Sequence, residues 1–360
     1  MPSSPSRLGV INGLRGLAII AVLLHHLYGQ TADWGWRQVA GISLPLFSPA
    51  SNAWQGVGLF FVLSGFVLFL PYAEGTRSIA TFGDVLTFYK RRFLRLYPLY
   101  YLNVLISMVF FARLEPTLHG VGEVACMATG LFPYCGNFFS RFNWVLWSLS
   151  LEICFSLIFP LLVVFYKRYG MARLFVVCSL IAWPTQYVGM RFNHEHVIKD
   201  SVLGRLADFA VGMLVAYLFV QQRLPRRGAL CTFAGLALLY LAFGSWDLCA
   251  TSVWPHNGMA FTGILSDAGF FLVLCGAFEF APLRRVASNG ALQVVGMMCY
   301  SLYVWHGIVL ASLFKDGADH QSLRPLTLYL FLLGSISALT YRYVEFHHVS
   351  DWRKLFRGAR

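Results

Sequence analysis

Apolar residues along this chain run together in blocks of about twenty, each long enough to cross the hydrocarbon core of a bilayer as a helix. The blocks fall at 10–29, 53–73, 93–112, 144–166, 171–189, 202–221, 228–247, 260–280, 293–314 and 325–344. Their number predicts an all-α, polytopic integral membrane protein with about ten transmembrane helices. A weaker apolar piece around 121–132 is interrupted and reads as an external re-entrant or surface loop. Between the blocks there is no low-complexity run, no short repeat and no long linker. The expectation is therefore one transmembrane domain over 1–360 with no fused soluble domain, its first span retained rather than cleaved as a signal peptide.

Composition agrees with this pattern. Hydrophobic residues make up 58% of the chain, charged residues 12%, and mean hydropathy is +0.62, whereas soluble domains are about a quarter charged. Aromatic residues make up 16%, and Trp and Tyr near span ends suit interfacial belts. A net charge of +12 invites a nucleic-acid reading. The basic residues instead sit in short clusters between apolar blocks, which excludes nucleic acid as the expected partner.

Ten spans place both termini on one side, and charge selects the side. Arg15, Arg77, the run Lys90-Arg91-Arg92, Arg95, Lys167, Arg168, Arg223, Arg226, Arg227, Arg284, Arg285 and the basic tail all fall on the N-terminal side, with most of the 28 Lys and Arg. The positive-inside bias makes that side cytoplasmic. Of the eight Cys, Cys126 and Cys135 share one external loop. A disulfide and two unpaired thiols both fit that placement.

Ionisable residues inside apolar spans are expensive and mark candidate chemistry. Arg15 and His26 lie eleven residues apart in the first span; as a helix they are about 16 Å apart along the axis and within about 20° of one face. His25 falls roughly 100° away, so His26 is the candidate. Glu152 is expected roughly 12 Å below the outer end of the fourth span, and His306 at a similar depth in the ninth. Asp208 and Asp267 belong to the same outer half, with Arg205 one turn from Asp208. Each of these has a plain alternative as an interhelical pair or hydrogen bond. Arg92 and Arg95 are also one turn apart, so both guanidinium groups share a face. They suit bidentate phosphate contact, but spacing alone favours the lipid-headgroup anchor that clusters of Lys and Arg usually form.

These residues carry a resemblance. Gly13-Leu14-Arg15-Gly16 followed by His26 resembles the R-x10-H motif of the membrane-bound acyltransferase family 3, polytopic O-acyltransferases that modify exported carbohydrates. Gly58-Leu59-Phe60-Phe61-Val62-Leu63-Ser64-Gly65-Phe66 resembles that family's second-helix signature, and Arg92-x-x-Arg95 with Tyr97-Pro98 its R-x-x-R motif. Trp147-Ser148-Leu149-Ser150-Leu151-Glu152 is similar to its W-S-L-x-x-E segment. Tyr300-Ser301-Leu302-Tyr303-Val304-Trp305-His306 and Tyr341-Arg342-Tyr343-Val344-Glu345 resemble its late helices. Six motifs in order cover nearly the whole chain. Two departures stand out: Gly58 occupies a position that often carries Asp, for which Asp33, Glu152 or Asp208 are substitutes, and Phe346-His347 follow Glu345 where a basic residue and Pro are usual.

The resemblance implies acyl transfer from cytoplasmic acyl-CoA, with acetyl-CoA the expected donor, to a hydroxyl of an exported carbohydrate or glycoside. No cofactor is implied besides this donor substrate, and no metal. Arg92 and Arg95, with help from Arg15, would hold the donor's phosphates. His26 would act as general base, oriented by a carboxylate such as Glu152, while Asp208, Asp267 and His306 would serve the acceptor side or support it. The implied location is a bacterial inner membrane. Two rivals share the same residues: a transporter or flippase, and a feeder that passes acyl groups to a separate periplasmic transferase.

Overall fold

A computed structural model describes residues 5–29, 37–39, 42–44, 47–110, 118–134, 139, 143–192, 194–314 and 323–346. In chain order its helices are α1 (Pro5–Leu24), α2 (Ser48–Ser51), α3 (Gly56–Ala73), α4 (Phe82–Phe110) and α5 (Leu118–Thr129). There follow α6 (Trp147–Tyr169), α7 (Met171–Arg191), α8 (Leu206–Val220), α9 (Gly228–Ala250) and α10 (Met259–Glu279). The last are α11 (Ala281–Ala287), α12 (Gly290–Met297), α13 (Cys299–Leu313) and α14 (Leu323–Thr340). One short antiparallel hairpin, β1 (Arg37–Val39) with β2 (Ile42–Leu44), pairs Gln38 with Ser43.

Every expected span falls on a helix, but the described residues do not confirm the count of ten. Seven helices among the described residues are long and apolar enough to cross a membrane, and α12 with α13 make an eighth only if taken as one span broken at Met298. The helix α8, expected to span, has 15 residues, about 22 Å of rise against a core of about 30 Å. The sequence block was longer because Ser201–Arg205 is apolar enough to join it; those residues form turns instead. The interrupted piece at 121–132 is α5, a 12-residue helix. Large apolar side chains such as Leu180, Phe233 and Phe331 are exposed on helix faces, the inverse of soluble packing and the surface that lipid covers. This is an integral membrane protein.

The chain divides into two compact units, residues 1–79 with 161–296, and residues 80–160 with 297–360. The chain passes between the units at Ile79, inside α6 at Pro160, and after Gly296.

In the first unit, α3 packs on α8 with glycine on both sides. A Cβ on Gly65 would lie 2.1 Å from the Phe209 carbonyl oxygen, and one on Gly212 would lie 1.8 Å from that of Val62. With little net hydrophobic gain between helices in lipid, such close backbone approach is a main source of packing energy. The start of α1 and the C-terminal ends of α8 and α10 meet at one end, beside Arg226, Arg284 and Arg285. The C-terminal end of α7, Met259 of α10 and Cys249 of α9 meet at the other.

In the second unit, α4 begins on a reciprocal cap. Asp84 Oδ2 accepts from the backbone N–H groups of Ala80 and Thr81, and the Asp84 N–H donates to Thr81 Oγ1, which satisfies donors a helix start leaves open. Three tyrosines of α4 then close α5. The hydroxyls of Tyr97, Tyr100 and Tyr101 donate to the carbonyls of Thr129, Met127 and Ala128 at 2.9, 2.5 and 2.9 Å. Those carbonyls belong to a helix C-terminus, where intrahelical partners run out. Cys126 of α5 is disulfide-bonded; Cys135 lies outside the described residues.

Candidate active site

In the first unit, Gly13 and Gly16 flank Arg15 and let α1 touch the backbone of α11 and α12. A Cβ on Gly13 would lie 1.7 Å from the Ala287 carbonyl oxygen, one on Gly16 2.3 Å from that of Leu292, and one on Gly296 1.7 Å from that of Asn12. The glycines of Gly13-Leu14-Arg15-Gly16 therefore fix where Arg15 sits. Its side chain is half-buried, and its Nε has no hydrogen-bond partner.

Eleven residues on, α1 opens into a π turn over His25–Gly29. Such widened turns re-aim side chains and recur at functional sites. The rings of His25 and His26 meet edge-to-face with centroids 5.0 Å apart, both half-buried. His25, which the helical-wheel argument set aside, hydrogen-bonds the backbone of Ser51. Ser51 belongs to a short polar segment that is itself anchored on α9. Asp247 accepts from the hydroxyls of Ser48 and Ser51, the latter at 3.3 Å, and from Asn52 Nδ2 at 2.7 Å. Asp247 was not singled out in the sequence, although an acid at the end of an apolar block is the same signal that marked Asp208 and Asp267.

A second polar group in this unit surrounds Asp200. Lys199 Nζ lies 2.9 Å from Asp200 Oδ1, while Arg205 NH2 and Nε donate to the same oxygen at 2.7 and 3.0 Å. His196 Nδ1 is 3.4 Å from Oδ2. The adjacent cations outweigh burial and hold the Asp200 carboxyl well below the usual range. The expected local pair of Arg205 with Asp208 exists but is looser, at 3.6 Å. Asp208 sits in the first turn of α8, where the helix dipole favours negative charge. Asp267 lies beside Asp208 and accepts from Trp183 Nε1 at 3.1 Å. Asp208 and Asp267 are thus brought together. Asp208 also lines the same small cavity as Gly58, so of the substitutes for the acid often found at that position, Asp208 is beside it. Asp33 lies outside the described residues, and Glu152 belongs to the other unit.

In the second unit, the motifs interlock through ion pairs. Arg92 NH2 lies 2.5 Å from Glu152 Oε1, and Arg92 Nε donates to Ser156 Oγ at 2.9 Å. Arg95 pairs with Glu345, which also accepts from Ser301 Oγ. The Glu345 side chain is 0% exposed and that of Arg95 31%. Both guanidinium groups of the R-x-x-R segment therefore face carboxylates. His306 is fully buried, and its Nδ1 lies 2.6 Å from the Tyr303 carbonyl one turn back. The Tyr303 hydroxyl accepts from Ser148 at 2.7 Å and donates to the Val145 carbonyl at 3.0 Å. These contacts tie the W-S-L-S-L-E segment to the Tyr300–His306 segment.

A family model described as an acyltransferase domain matches residues 8–341. The O-acetyltransferase OatA of Staphylococcus aureus (strain NCTC 8325 / PS 47) is 24% identical over 382 residues, covering 95% of this chain and 57% of that protein. The putative O-acetyltransferase SACOL0978 of Staphylococcus aureus (strain COL) is 23% identical over 366 residues, covering 93% and 56%. The chain thus spans a little over half the length of these relatives. No solved structure matches. The family model covers almost every element described above, from the helix of Arg15 and His26 to the last one, and the chain belongs to the acyltransferase 3 family.

Proposed function

We propose that this protein transfers an acyl group, acetyl being the expected one, from acyl-CoA to a hydroxyl of an exported or cell-surface carbohydrate or glycoside. The observation that carries the reading is the imidazole pair at the far end of the Arg15 helix, fixed through the contact of His25 with Ser51. His26 is the general base. Its imidazole takes the proton of the acceptor hydroxyl as that oxygen bonds to the thioester carbonyl carbon; the C–S bond breaks, and the proton passes to the departing CoA sulfur. Imidazole suits this because its ordinary pKa lies near neutral pH.

Arg92 and Arg95 contact the donor in this reading by exchanging Glu152 and Glu345 for its acceptor oxygens, to which guanidinium groups donate. Glu152 then serves Arg92 rather than His26. Asp208 and Asp267, near Gly58, support the acceptor side. The basic end of the first unit faces the cytoplasm by the positive-inside bias, which puts both termini there. A bacterial inner membrane supplies both substrates to such an enzyme.

The test is His26→Ala, assayed for acylated product from acetyl-CoA and a glycoside acceptor at matched protein levels. Loss of a general base costs about 10²–10⁴-fold; undiminished transfer removes His26 from the mechanism. Acyl-CoA consumption that needs no acceptor, or substrate movement without consumption, would instead identify a feeder or a transporter.

A further inference from the structure

The basic end of the first unit holds a cleft of about 770 Å³, within the range of small-molecule sites. Three cationic side chains line it, Arg226 from the turn after α8 and Arg284 and Arg285 from α11, with one carboxylate, Glu279, at the end of α10. All four residues are exposed. The apolar part of the lining includes Phe219 and Phe278, whose ring centroids lie 4.8 Å apart, and Val10 of α1. Arg284 NH1 donates to the Phe278 carbonyl at 3.2 Å.

We propose that this cleft binds the phosphorylated adenosine head of acyl-CoA. Guanidinium forks recognise phosphate oxygens. The carboxylate of Glu279 accepts hydrogen bonds from an amino group or ribose hydroxyls, and the phenylalanine wall buries a flat base. A bare phosphate uses only the first of these features. An anionic phospholipid headgroup shares the phosphate chemistry but brings no base. The cleft also begins at Val10, sixteen residues before His26 on the same helix, about 24 Å of rise and of the order of an extended pantetheine arm. The proposal rests on acyl-CoA being the donor, and it assigns the nucleotide end to residues that none of the six motifs contains.

The experiment is equilibrium binding to the full chain in phosphatidylcholine nanodiscs, with adenosine 3′,5′-bisphosphate, CoA and inorganic pyrophosphate as probes. CoA and adenosine 3′,5′-bisphosphate should bind, and Arg226→Glu with Arg285→Glu should weaken both at least tenfold. Glu279→Gln, a milder change, should reduce the preference for adenosine 3′,5′-bisphosphate over pyrophosphate at least threefold. Unchanged affinity in both folded variants, or no binding of adenosine 3′,5′-bisphosphate, overturns the proposal. Displacement of the probe when phosphatidylglycerol is added to the discs would overturn it in favour of a lipid site. Binding that persists in a protein unable to transfer acetyl from acetyl-CoA would uphold the cleft and sink the acyltransfer reading instead.

Discussion

Arg92 and Glu152 form a 2.5 Å ion pair between α4 and α6, with side chains only 15% and 17% exposed. The pair joins two segments that stand out separately in the sequence, one as a basic cluster and the other as a lone acid in an apolar block. Ser156 completes it, donating to the Glu152 backbone carbonyl at 2.8 Å while accepting from Arg92.

Removing one member should therefore cost more than removing both. Breaking a buried pair costs about 3–5 kcal/mol because a charge is left uncompensated, and residual exposure here reduces that to about 2–3 kcal/mol. Arg92→Ala and Glu152→Ala should each lower the melting temperature more than the double variant does. Thermal unfolding of the four proteins in one detergent gives the coupling directly; simple additivity would mean the pair holds nothing.

Asp247 should act as a positioning residue for the imidazole pair. It gathers Ser48, Ser51 and Asn52, and Ser51 holds His25. Hydrogen bonds to a charged group are each worth about 1.5–3 kcal/mol. Asp247→Ala should lower kcat about tenfold with KM for acetyl-CoA unchanged, and Asp247→Asn, which keeps an acceptor oxygen, should recover most of the loss. At matched amounts of folded protein, an equal loss in Asp247→Asn, without rescue, would overturn this role.

Two glycine substitutions should separate close packing from helix propensity. Gly13→Ala drives a Cβ to within 1.7 Å of the Ala287 carbonyl oxygen, so α1 must shift away from α11 and folded yield should collapse. Gly334→Ala meets nothing within 4 Å and should be neutral or stabilising by up to about 1 kcal/mol, the helix-propensity difference. Size-exclusion profiles and melting curves distinguish the two.

Asp200 sets an acid limit. Lys199 and Arg205 hold its folded-state carboxyl below the usual range, so its contribution is complete above an ordinary aspartate pKa of about 4 and is lost as pH falls through the depressed folded value. Asp200→Asn should destabilise the protein at pH 7, leaving two cations without their carboxylate, and the gap to wild type should narrow as pH drops below about 4. Melting temperatures at pH 3 to 7 check this; a constant gap would show that the charge is immaterial.

Much was readable without coordinates because it depends on local chemistry. The apolar blocks, the basic clusters, Arg15 with His26 on one helix and the six ordered motifs are all properties of contiguous residues, and the family follows from them. The count of spans was less legible, since hydropathy alone does not report that Ser201–Arg205 turns around Asp200 instead of extending α8.

The sequence by itself determined a polytopic helical membrane protein of an acyltransferase family and nominated its ionisable residues. Only the tertiary structure decided their partners: Glu152 with Arg92, Glu345 with Arg95, Asp200 with Arg205 and Lys199, and Asp247 with the segment that holds His25. The reason is physical. A buried charge in an apolar span must find a counter-charge or donor wherever close-packed helices bring one, and that choice belongs to glycine contacts such as Gly13 against Ala287, which set helix neighbours across hundreds of residues of chain.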